Sequence, residues 1–285
     1  MWYSKDTVAV VTGSYKGIGL QIVKDLAKHG VTTVMTARDV GRGEKSVAGL
    51  KAEGFDTVVF YPAPLEVTSP ESVDKFAAWL KKEFGGLDIL VNNAGVYAQE
   101  ISYKGAKDSI DANYFAEKIV CSKLLPLLRP GGQIVNMGTS LAVLSYLRNE
   151  SLAKKLDDVD NLTEDFIDSA ANKYLEDVKA GRWEEEGWSL ENPQYTESKM
   201  LLHAYTRFLA KSLERTHQRK YVNVIHPGYI ATDMTAKMRP GHSSVEVGAD
   251  TPVWLSLLPE ENYPNGKFFY KRKEHDYWTQ DFHLV

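Results

Sequence analysis

Short apolar runs rich in β-branched residues alternate along the chain with longer segments whose apolar positions recur every three or four residues. The short runs predict buried strands, and the longer segments predict amphipathic helices. The predicted strands are Thr7–Thr12, Val31–Ala37, Thr57–Tyr61, Leu87–Asn92, Gln133–Met137, Tyr221–His226 and Lys267–Tyr270. Because strands that are apolar throughout are buried on both faces, the pattern predicts a doubly wound α/β fold with a parallel sheet.

The helices are predicted between these strands. Ile18, Ile22 and Leu26 fall at helical spacing, and Gly30 is suited to end that helix. Ser69 followed by Pro70 is typical of a helix start. The predicted helices are Gly17–Gly30, Gly41–Glu53, Ser69 to about Phe84, one that ends near residues 124–132, Pro193–Arg215, and one from about Ser244.

One segment, from about residue 147 to residue 188, interrupts the alternation. It lies where a short loop would suffice between the fifth strand and the next helix, and it is locally acidic. Its apolar residues are spaced as in helices: Leu156, Leu162, Phe166, Ile167, Tyr174 and Leu175. We therefore expect a helical insertion within a single domain that spans residues 1–285.

Composition narrows the class of protein. The 285 residues carry a net charge of −4 with acids and bases mixed, which argues against the basic face of a nucleic-acid-binding protein. The single cysteine, Cys121, can form no intramolecular disulfide, and its position in a helix favours a buried apolar role. Neither a secretory signal nor an apolar run of about 20 residues is found, and no histidine spacing is typical of a metal site. We expect a cytoplasmic protein without a membrane partner.

A glycine-rich stretch joins the first strand to the first helix. Glycine is needed where a backbone turns sharply and approaches a pyrophosphate, and the helix N-terminus favours phosphate. The alternative, a glycine-rich turn without a ligand, is disfavoured because the stretch lies within a βαβ unit. The sequence thus predicts a Rossmann-type dinucleotide site that includes Gly13, Ser14, Lys16, Gly17, Ile18 and Gly19.

The end of the second strand bears on which dinucleotide binds. A site for NAD usually has an acid there, whereas this chain has Arg38, with Arg42 a turn later and Lys16 in the glycine loop. Three cations could converge on a 2′-phosphate, so NADPH or NADP is predicted. The alternative is that Arg38 and Arg42 are solvated surface charges.

Tyr195 and Lys199 lie four residues apart on the predicted long helix, and so on one face of it. A neighbouring ammonium should lower the tyrosine pKa and make the phenol a better proton donor. Such a pair is common by chance, and it gains weight only in combination with other motifs.

The combination is the stretch Thr12–Gly19, Asn-Asn-Ala-Gly at Asn92–Gly95, an asparagine at 113, the Tyr195/Lys199 pair and Pro-Gly-Tyr-Ile-Ala-Thr at Pro227–Thr232. In this order the motifs resemble the short-chain dehydrogenase/reductase family over essentially the whole chain. The likeness is strongest to the carbonyl-reductase-like branch, which includes plant reductases of monoterpene and alkaloid ketones and is often monomeric.

The resemblance implies roles for the matching residues. Tyr195 would protonate the carbonyl oxygen, Lys199 would also bind the nicotinamide ribose, and Asn113 would hold a water that links Lys199 to solvent. Further cofactor contacts are implied for Leu65, Glu66, Asn93, Ala94, Gly95, Pro227, Gly228, Ile230 and Thr232.

Two positions could supply the hydroxyl that the family usually places three residues after the asparagine of the fifth strand. Counting from Asn136, that position is Thr139, and Ser140 follows. Neighbours on an extended strand face opposite sides, so we expect one of the two to face the substrate, and we favour Thr139.

The predicted activity is NADPH-dependent reduction of an apolar ketone or aldehyde, cyclic ones included, to an alcohol. Its predicted pocket walls are Tyr97, Leu141, Val143, Tyr229 and Met234, although ordinary core packing explains each equally well. Alcohol oxidation, reduction of an activated C=C bond and a cofactor-sensing role are the alternatives. Because the acidic insertion could cover the helix that carries Tyr195, a monomer is expected.

Overall fold

The computed structural model describes residues 1–98, 100–236, 238 and 240–279. In this part of the chain eight strands form one sheet in the order β3-β2-β1-β4-β5-β6-β7-β8. The strands are β1 Val8–Val11, β2 Thr32–Met35, β3 Val58–Phe60, β4 Leu87–Asn92, β5 Leu128–Met137, β6 Lys220–His226, β7 Phe268–Tyr270 and β8 Lys273–His275. All neighbours are parallel except β7 and β8. The predicted doubly wound α/β fold is confirmed.

The strand order reverses at β1. Val10 pairs with Val34 of β2 on one side and with Leu90 of β4 on the other. In open α/β sheets ligands bind beyond the carboxyl ends of the strands at such a reversal. The glycine loop and the segment Asn93–Gly95 follow β1 and β4 directly, so both lie at this point.

Strand β8 was missing from the sequence prediction, and it changes the edge of the sheet from parallel to antiparallel. It pairs with β7 through a two-residue turn in which Lys271 and Arg272 have φ of 48° and 60°. Such a turn favours glycine or asparagine, and the strand itself is largely exposed, so neither the turn nor an apolar pattern marked it in the sequence.

The helices occupy both faces of the sheet. They are α1 Gly17–Lys28, α2 Val40–Ala52, α3 Pro70–Phe84, α4 Tyr103–Ile110, α5 Ala116–Leu124, α6 Glu150–Asp157, α7 Glu164–Ala180, α8 Pro193–Arg215 and α9 Val245–Ser256. Ser69 caps α3 by accepting a hydrogen bond from the Ser72 N–H, as its sequence predicts. None of the described helices is long and apolar enough to span a bilayer.

The helix predicted after β4 is interrupted. A π-helical turn, Asp111–Phe115, separates α4 from α5. Within it the Asn113 side chain bonds to both the N–H and the C=O of Val96, at 2.8 and 2.9 Å. Turns of this kind occur mostly as short pieces inside α-helices, and frequently at functional sites.

Apolar residues fill the space between the sheet and each helical layer. On one face Ile22 and Leu26 of α1 pack with Ala249 of α9 and with buried strand residues. On the other face Phe76 of α3 and Leu201 of α8 belong to a larger cluster. These two layers fix α1 and α8, the helices that carry the predicted site residues.

Helices α6 and α7 lie within the segment 147–188 and pack beside α8. Asp157, at the end of α6, binds the Arg207 guanidinium at 3.0 Å, and Asp160 binds Lys211 at 2.9 Å. Ile167 and Tyr174 of α7 are fully buried in the same cluster as Leu201. This segment therefore covers part of the outer surface of α8.

Candidate active site

The glycine loop follows a tight path at the carboxyl end of β1. Gly13 and Gly17 have φ of +60° and +58°, a region that favours glycine. A Cβ at Gly19 would lie 2.4 Å from Asn93 Nδ2 and 2.9 Å from the Ser14 Cα. The loop therefore requires glycine at these three positions, and its backbone is accessible to a ligand at the N-terminus of α1.

Side-chain hydrogen bonds fasten this loop to the segment after β4. The Thr12 hydroxyl accepts hydrogen bonds from the N–H groups of Asn93 and Ala94, at 2.9 and 3.0 Å. In return the Asn93 amide donates to the carbonyls of Thr12 and Gly13, at 2.9 and 3.2 Å. These four bonds hold the ends of β1 and β4 in one rigid unit.

The Ser14 hydroxyl is not available to a ligand, because two backbone groups already use it. The hydroxyl is buried, donates to the Val11 carbonyl at 2.8 Å and accepts from the Thr36 N–H at 3.1 Å. The hydroxyl thus joins β1 to the end of β2. Any cofactor contact of Ser14 would have to come from another part of the residue.

The segment after β6 faces the glycine loop across the reversal point. A Cβ at Gly17 would lie 3.5 Å from the Thr232 methyl. Ile230 is buried, and both it and Ile18 lie within 3.2 Å of the Cβ position of Gly248. Among the predicted cofactor residues, Pro227 and Gly228 precede this contact, and Gly228 has φ of +94°.

The three cations predicted to bind a 2′-phosphate each have a carboxylate neighbour. The N···O distances are 2.6 Å for Lys16–Asp233, 3.3 Å for Arg42–Asp39 and 3.8 Å for Arg38–Glu66. The hydrogen bond to Asp233 raises the pKa of Lys16, and Arg42 helps to lower the pKa of Asp233. Lys16 and Arg42 therefore share one neighbourhood beside the loop.

Leu65 and Glu66 lie next to the end of β2. Leu65 is buried, and its N–H donates to the Ala37 carbonyl at 2.9 Å. The Glu66 carboxylate accepts a hydrogen bond from the Thr68 hydroxyl at 2.9 Å, and its side chain is about two-fifths exposed. Of the two, Glu66 presents a polar side chain on the surface.

Tyr195 lies in the first turn of α8, and its phenol stays protonated to high pH. Burial raises the pKa of Tyr195 to about 12, and the charge of Glu117 and the Tyr97 phenol act in the same direction. The neighbouring Thr139 side chain acts in the opposite direction. The predicted lowering of the Tyr195 pKa by Lys199 is thus wrong, because burial dominates.

Lys199 has a partner that the sequence did not reveal. Its ammonium donates to Glu117 Oε1 at 3.0 Å, and both side chains are about 95% buried. Glu117 belongs to α5, one turn after Asn113. In a sequence, a glutamate in an amphipathic helix indicates a solvated position, so no signal marked Glu117 as part of the site.

The Thr139 side chain lies close enough to Tyr195 to lower its pKa, and the choice between Thr139 and Ser140 stays a prediction. The backbone of Thr139 is extended, and its N–H donates to His203 Nε2 at 3.4 Å. Ser140, the next residue, is buried at the start of a short 3₁₀ turn. His203 was also missed, and burial and Lys199 lower its pKa well below the usual range, so it is neutral.

Asn113 is fully buried between α8 and the segment after β4. In addition to its bonds with Val96, its amide donates to the Ser198 hydroxyl at 3.0 Å. Both amide hydrogens are therefore used. A water at this position would need an acceptor on Asn113, either the second lone pair of Oδ1 or the main-chain carbonyl.

Tyr97 lies against Tyr195, the candidate proton donor. Its ring centroid is 5.3 Å from that of Tyr195, and its hydroxyl donates to Asn192 Oδ1 at 2.6 Å. Asn192 precedes α8 and has φ of 45°, an unusual value for a residue other than glycine. Sequence reasoning missed Asn192, which positions Tyr97 from the start of the helix.

The other predicted pocket walls divide into two groups. Val143 is fully buried and packs with Val224 and Phe268, so its prediction as a pocket wall is wrong and the core-packing alternative holds. Leu141 is partly exposed, and Met234 is 39% exposed. Tyr229 stacks on His242 and lines a cavity of about 710 Å³ that Tyr195 does not line.

Within the described residues, no group of three or more His, Cys, Asp or Glu side chains is placed to hold a metal ion. Cys121 is buried, accepts a hydrogen bond from Asn92, and has a pKa raised to about 12 by burial. It is therefore a poor nucleophile. The site presents a phenol, a hydroxyl and an ammonium beside a glycine loop, as in dinucleotide-dependent oxidoreductases.

Comparison with known proteins agrees with this class. A family model described as short chain dehydrogenase matches residues 7–150. The (+)-neomenthol dehydrogenase of Arabidopsis thaliana is 37% identical, with 93% of this chain and 96% of the relative covered. Carbonyl reductase (NADPH) 1 of Sus scrofa is 34% identical, with 95% and 94% covered.

A solved structure agrees over the same extent. Salutaridine reductase from Papaver somniferum superposes with a TM-score of 0.84 at 35% identity, with 93% of this chain and 99% of that chain covered. The chain belongs to the short-chain dehydrogenase/reductase family, in its carbonyl-reductase-like branch. The predicted resemblance is confirmed, and the chain is an oxidoreductase of that family.

Proposed function

We propose that this protein reduces an apolar ketone or aldehyde to an alcohol with NADPH as the hydride donor. The observation that carries the proposal is the buried phenol of Tyr195, which burial keeps protonated and whose pKa the neighbouring Thr139 side chain acts to lower. A carbonyl oxygen placed between these two groups would receive a hydrogen bond from one and a proton from the other.

The residues at the reversal of the strand order fit a dinucleotide. Gly13 and Gly17 have the positive φ that the tight loop needs, a Cβ at Gly19 would collide with Asn93 and Ser14, and the N-terminus of α1 favours a pyrophosphate. When bound, the nicotinamide group supplies the hydride. The residues proposed to hold the cofactor are Gly13, Ser14, Lys16, Gly17, Ile18, Gly19, Arg38, Arg42, Leu65, Glu66, Asn93, Ala94, Gly95, Tyr195, Lys199, Pro227, Gly228, Ile230 and Thr232.

The chain's own groups divide the remaining work. Tyr195 donates its proton to the oxygen on which negative charge develops, and Thr139 stabilises that charge by a hydrogen bond. The Lys199 ammonium stabilises the phenolate that Tyr195 becomes after it has donated its proton. Asn113 joins the π-helical turn to Ser198 of α8 and to Val96, which keeps the Tyr195/Lys199 face in register with the segment after β4.

The first test is NADPH consumption with a panel of cyclic ketones, quinones and aldehydes, for wild type and Tyr195→Phe. Loss of a general acid typically costs on the order of 10²–10⁴ in rate, so the variant should lose nearly all turnover while it still binds NADPH. Turnover that survives in Tyr195→Phe would contradict the mechanism. No turnover by wild type in spite of NADPH binding would favour C=C reduction or a sensing role.

NADPH is proposed over NADH because Lys16 and Arg42 share a neighbourhood and Arg38 lies at the end of β2. The carboxylates beside these cations are exposed, so a 2′-phosphate can replace them at little cost. In Arg38→Asp the ratio of the Kd for NADH to that for NADPH should fall by at least tenfold. An unchanged ratio would show that Arg38 is a solvated surface charge that does not contact the 2′-phosphate.

The state of assembly and the substrate pocket are further proposals. Because α6 and α7 cover part of α8, we propose that residues 147–188 are an insertion within one domain and that the protein is a monomer. Light scattering at the mass of a dimer would contradict this. Tyr97, Leu141, Tyr229 and Met234 are proposed to contact the substrate, and the cytoplasmic location stays a prediction.

A further inference from the structure

A buried carboxylate lies on the cation next to Tyr195. Glu117 is 4% exposed, and its Oε1 accepts the hydrogen bond from the Lys199 ammonium at 3.0 Å. Its second oxygen, Oε2, is buried with no hydrogen-bond partner among the described residues. A buried carboxylate with half of its acceptors unsatisfied is costly, so a role beyond packing is indicated.

The local fold brings Glu117 to this place together with Asn113. The π-helical turn ends at Phe115, and the side chains of Asn113 and Glu117 bond to Ser198 and Lys199, which are neighbours on α8. A Cβ at Gly95 would lie 3.0 Å from Asn113 Oδ1 and 3.8 Å from Lys199 Nζ. The ammonium is thus confined among three elements.

The charges around Glu117 make its ionisation sensitive to pH. Burial raises the pKa of Glu117 to about 7, although Lys199 acts against this. On its own helix Cys121 faces it as a neutral thiol whose Sγ accepts from Asn92 of β4. From α8 it faces Lys199 and Tyr195, and His203, on which Lys199 also acts, is neutral.

We propose that Glu117 is a positioning residue that fixes the Lys199 ammonium and, through its own charge, sets how readily Tyr195 releases its proton. This inference rests on the proposed role of Tyr195 as the acid. While Glu117 is a carboxylate, it opposes a phenolate at Tyr195 and neutralises the Lys199 charge. Once Glu117 is protonated, both effects vanish and Tyr195 becomes the stronger acid.

Glu117→Gln imitates the protonated state. The glutamine Oε1 can still accept from Lys199, so the ammonium keeps its place while the negative charge is lost. The phenol of Tyr195 should then ionise about one to two pH units lower, the usual effect of a close charge. At alkaline pH the kcat of the variant should fall in a range where the kcat of wild type does not yet change. Wild-type kcat should rise a few-fold as pH falls through about 7, a step that the variant lacks.

Glu197→Gln is the matched control. Glu197 is 1% exposed, lies on α8, and burial also raises its pKa to about 7. It accepts from the Ser189 N–H at 2.7 Å and is not among the groups that shift the Tyr195 pKa. The same change in a carboxyl of equal burial should therefore leave the pH profile as it is in wild type.

The experiment has two readouts. The first is kcat and KM against pH for wild type, Glu117→Gln and Glu197→Gln, in which KM for the carbonyl substrate should stay constant. The second is phenolate absorbance during alkaline titration, taken as the difference between each protein and its Tyr195→Phe counterpart. The second readout isolates one of 15 tyrosines and needs no turnover.

The outcomes separate this inference from the proposed function. If no protein reduces a carbonyl but the Tyr195 titration still moves in Glu117→Gln, the function is wrong and the role of Glu117 stands. If the enzyme is active and neither readout moves, or both glutamine variants move alike, the role of Glu117 is refuted. Should Glu117→Gln not fold, Glu117→Asp draws the carboxylate back from Lys199, and a titration equal to that of wild type would overturn the inference.

Discussion

Gly19→Ala should damage both the fold and the cofactor site, because the new methyl group has no place to go. Its Cβ would lie 2.4 Å from Asn93 Nδ2 and 2.9 Å from the Ser14 Cα. The amide could swing away, but it would give up its bonds to the carbonyls of Thr12 and Gly13, at about 1 kcal/mol each. The Ser14 Cα is backbone, so the loop itself must shift, which typically costs about 1–3 kcal/mol.

The sum is a destabilisation of about 3–5 kcal/mol, or a fall in Tm of roughly 5–8 °C for a chain of this size. The displaced loop should also weaken NADPH binding, measured by fluorescence titration. Gly49→Ala is the matched control, since its Cβ meets nothing within 4 Å in an exposed turn of α2. That change should stabilise the fold by about 0.5–1 kcal/mol, the ordinary helix preference of alanine over glycine.

Urea denaturation of the three proteins measures the first effect, and NADPH titration measures the second. If Gly19→Ala matches wild type in both, the close packing of the loop against Asn93 has no energetic consequence, and the argument for a rigid dinucleotide cradle fails. Destabilisation without a change in NADPH binding would place the cofactor elsewhere.

Three further predictions test other parts of the molecule. Thr139→Val should lower kcat about 10²-fold, the usual cost of one donor to a developing oxyanion, whereas Ser140→Ala should leave kcat near the wild-type value. Glu197→Gln should be more stable than wild type above pH 7 by up to about 3 kcal/mol, and equal to it near pH 4.5. Burial raises the pKa of Glu197 in the folded protein to about 7. The stability that this carboxyl contributes is therefore complete at low pH and lost as pH rises through about 7. Val143→Ala should cost about 2 kcal/mol of stability, measured in urea, without altering substrate preference, since Val143 packs in the core.

The sequence predicted the sheet, the reversal point and the glycine loop because each has a local signal. Apolar runs mark buried strands, and glycine marks a backbone that must turn. Strand β8 has neither signal. Its residues are mostly exposed, and its turn has Lys271 and Arg272 in a conformation for which glycine or asparagine is the usual sequence sign. Val143 shows the reverse problem: an apolar residue near a site looks the same whether it lines a pocket or fills the core.

The direction of the Tyr195 pKa shift could not be obtained from the sequence, because it depends on burial and on a contact across two helices. Lys199 is visible as a neighbour one turn away, and from that alone a lowered pKa follows. Glu117 is 82 positions away along the chain, and only the packing of α5 against α8 places it on the same ammonium. Burial, together with a charge that is close in space but distant in sequence, thus reversed the prediction.

That reversal bears on the direction of the reaction. To oxidise an alcohol, Tyr195 must act as a base and therefore must first ionise. With a pKa of about 12, ionisation at pH 7 costs roughly 7 kcal/mol, whereas proton donation needs no prior step. Near neutral pH Tyr195, buried beside the Glu117 carboxylate, is therefore in the form that donates a proton, and a group that lowers the Tyr195 pKa would increase the fraction able to act as a base.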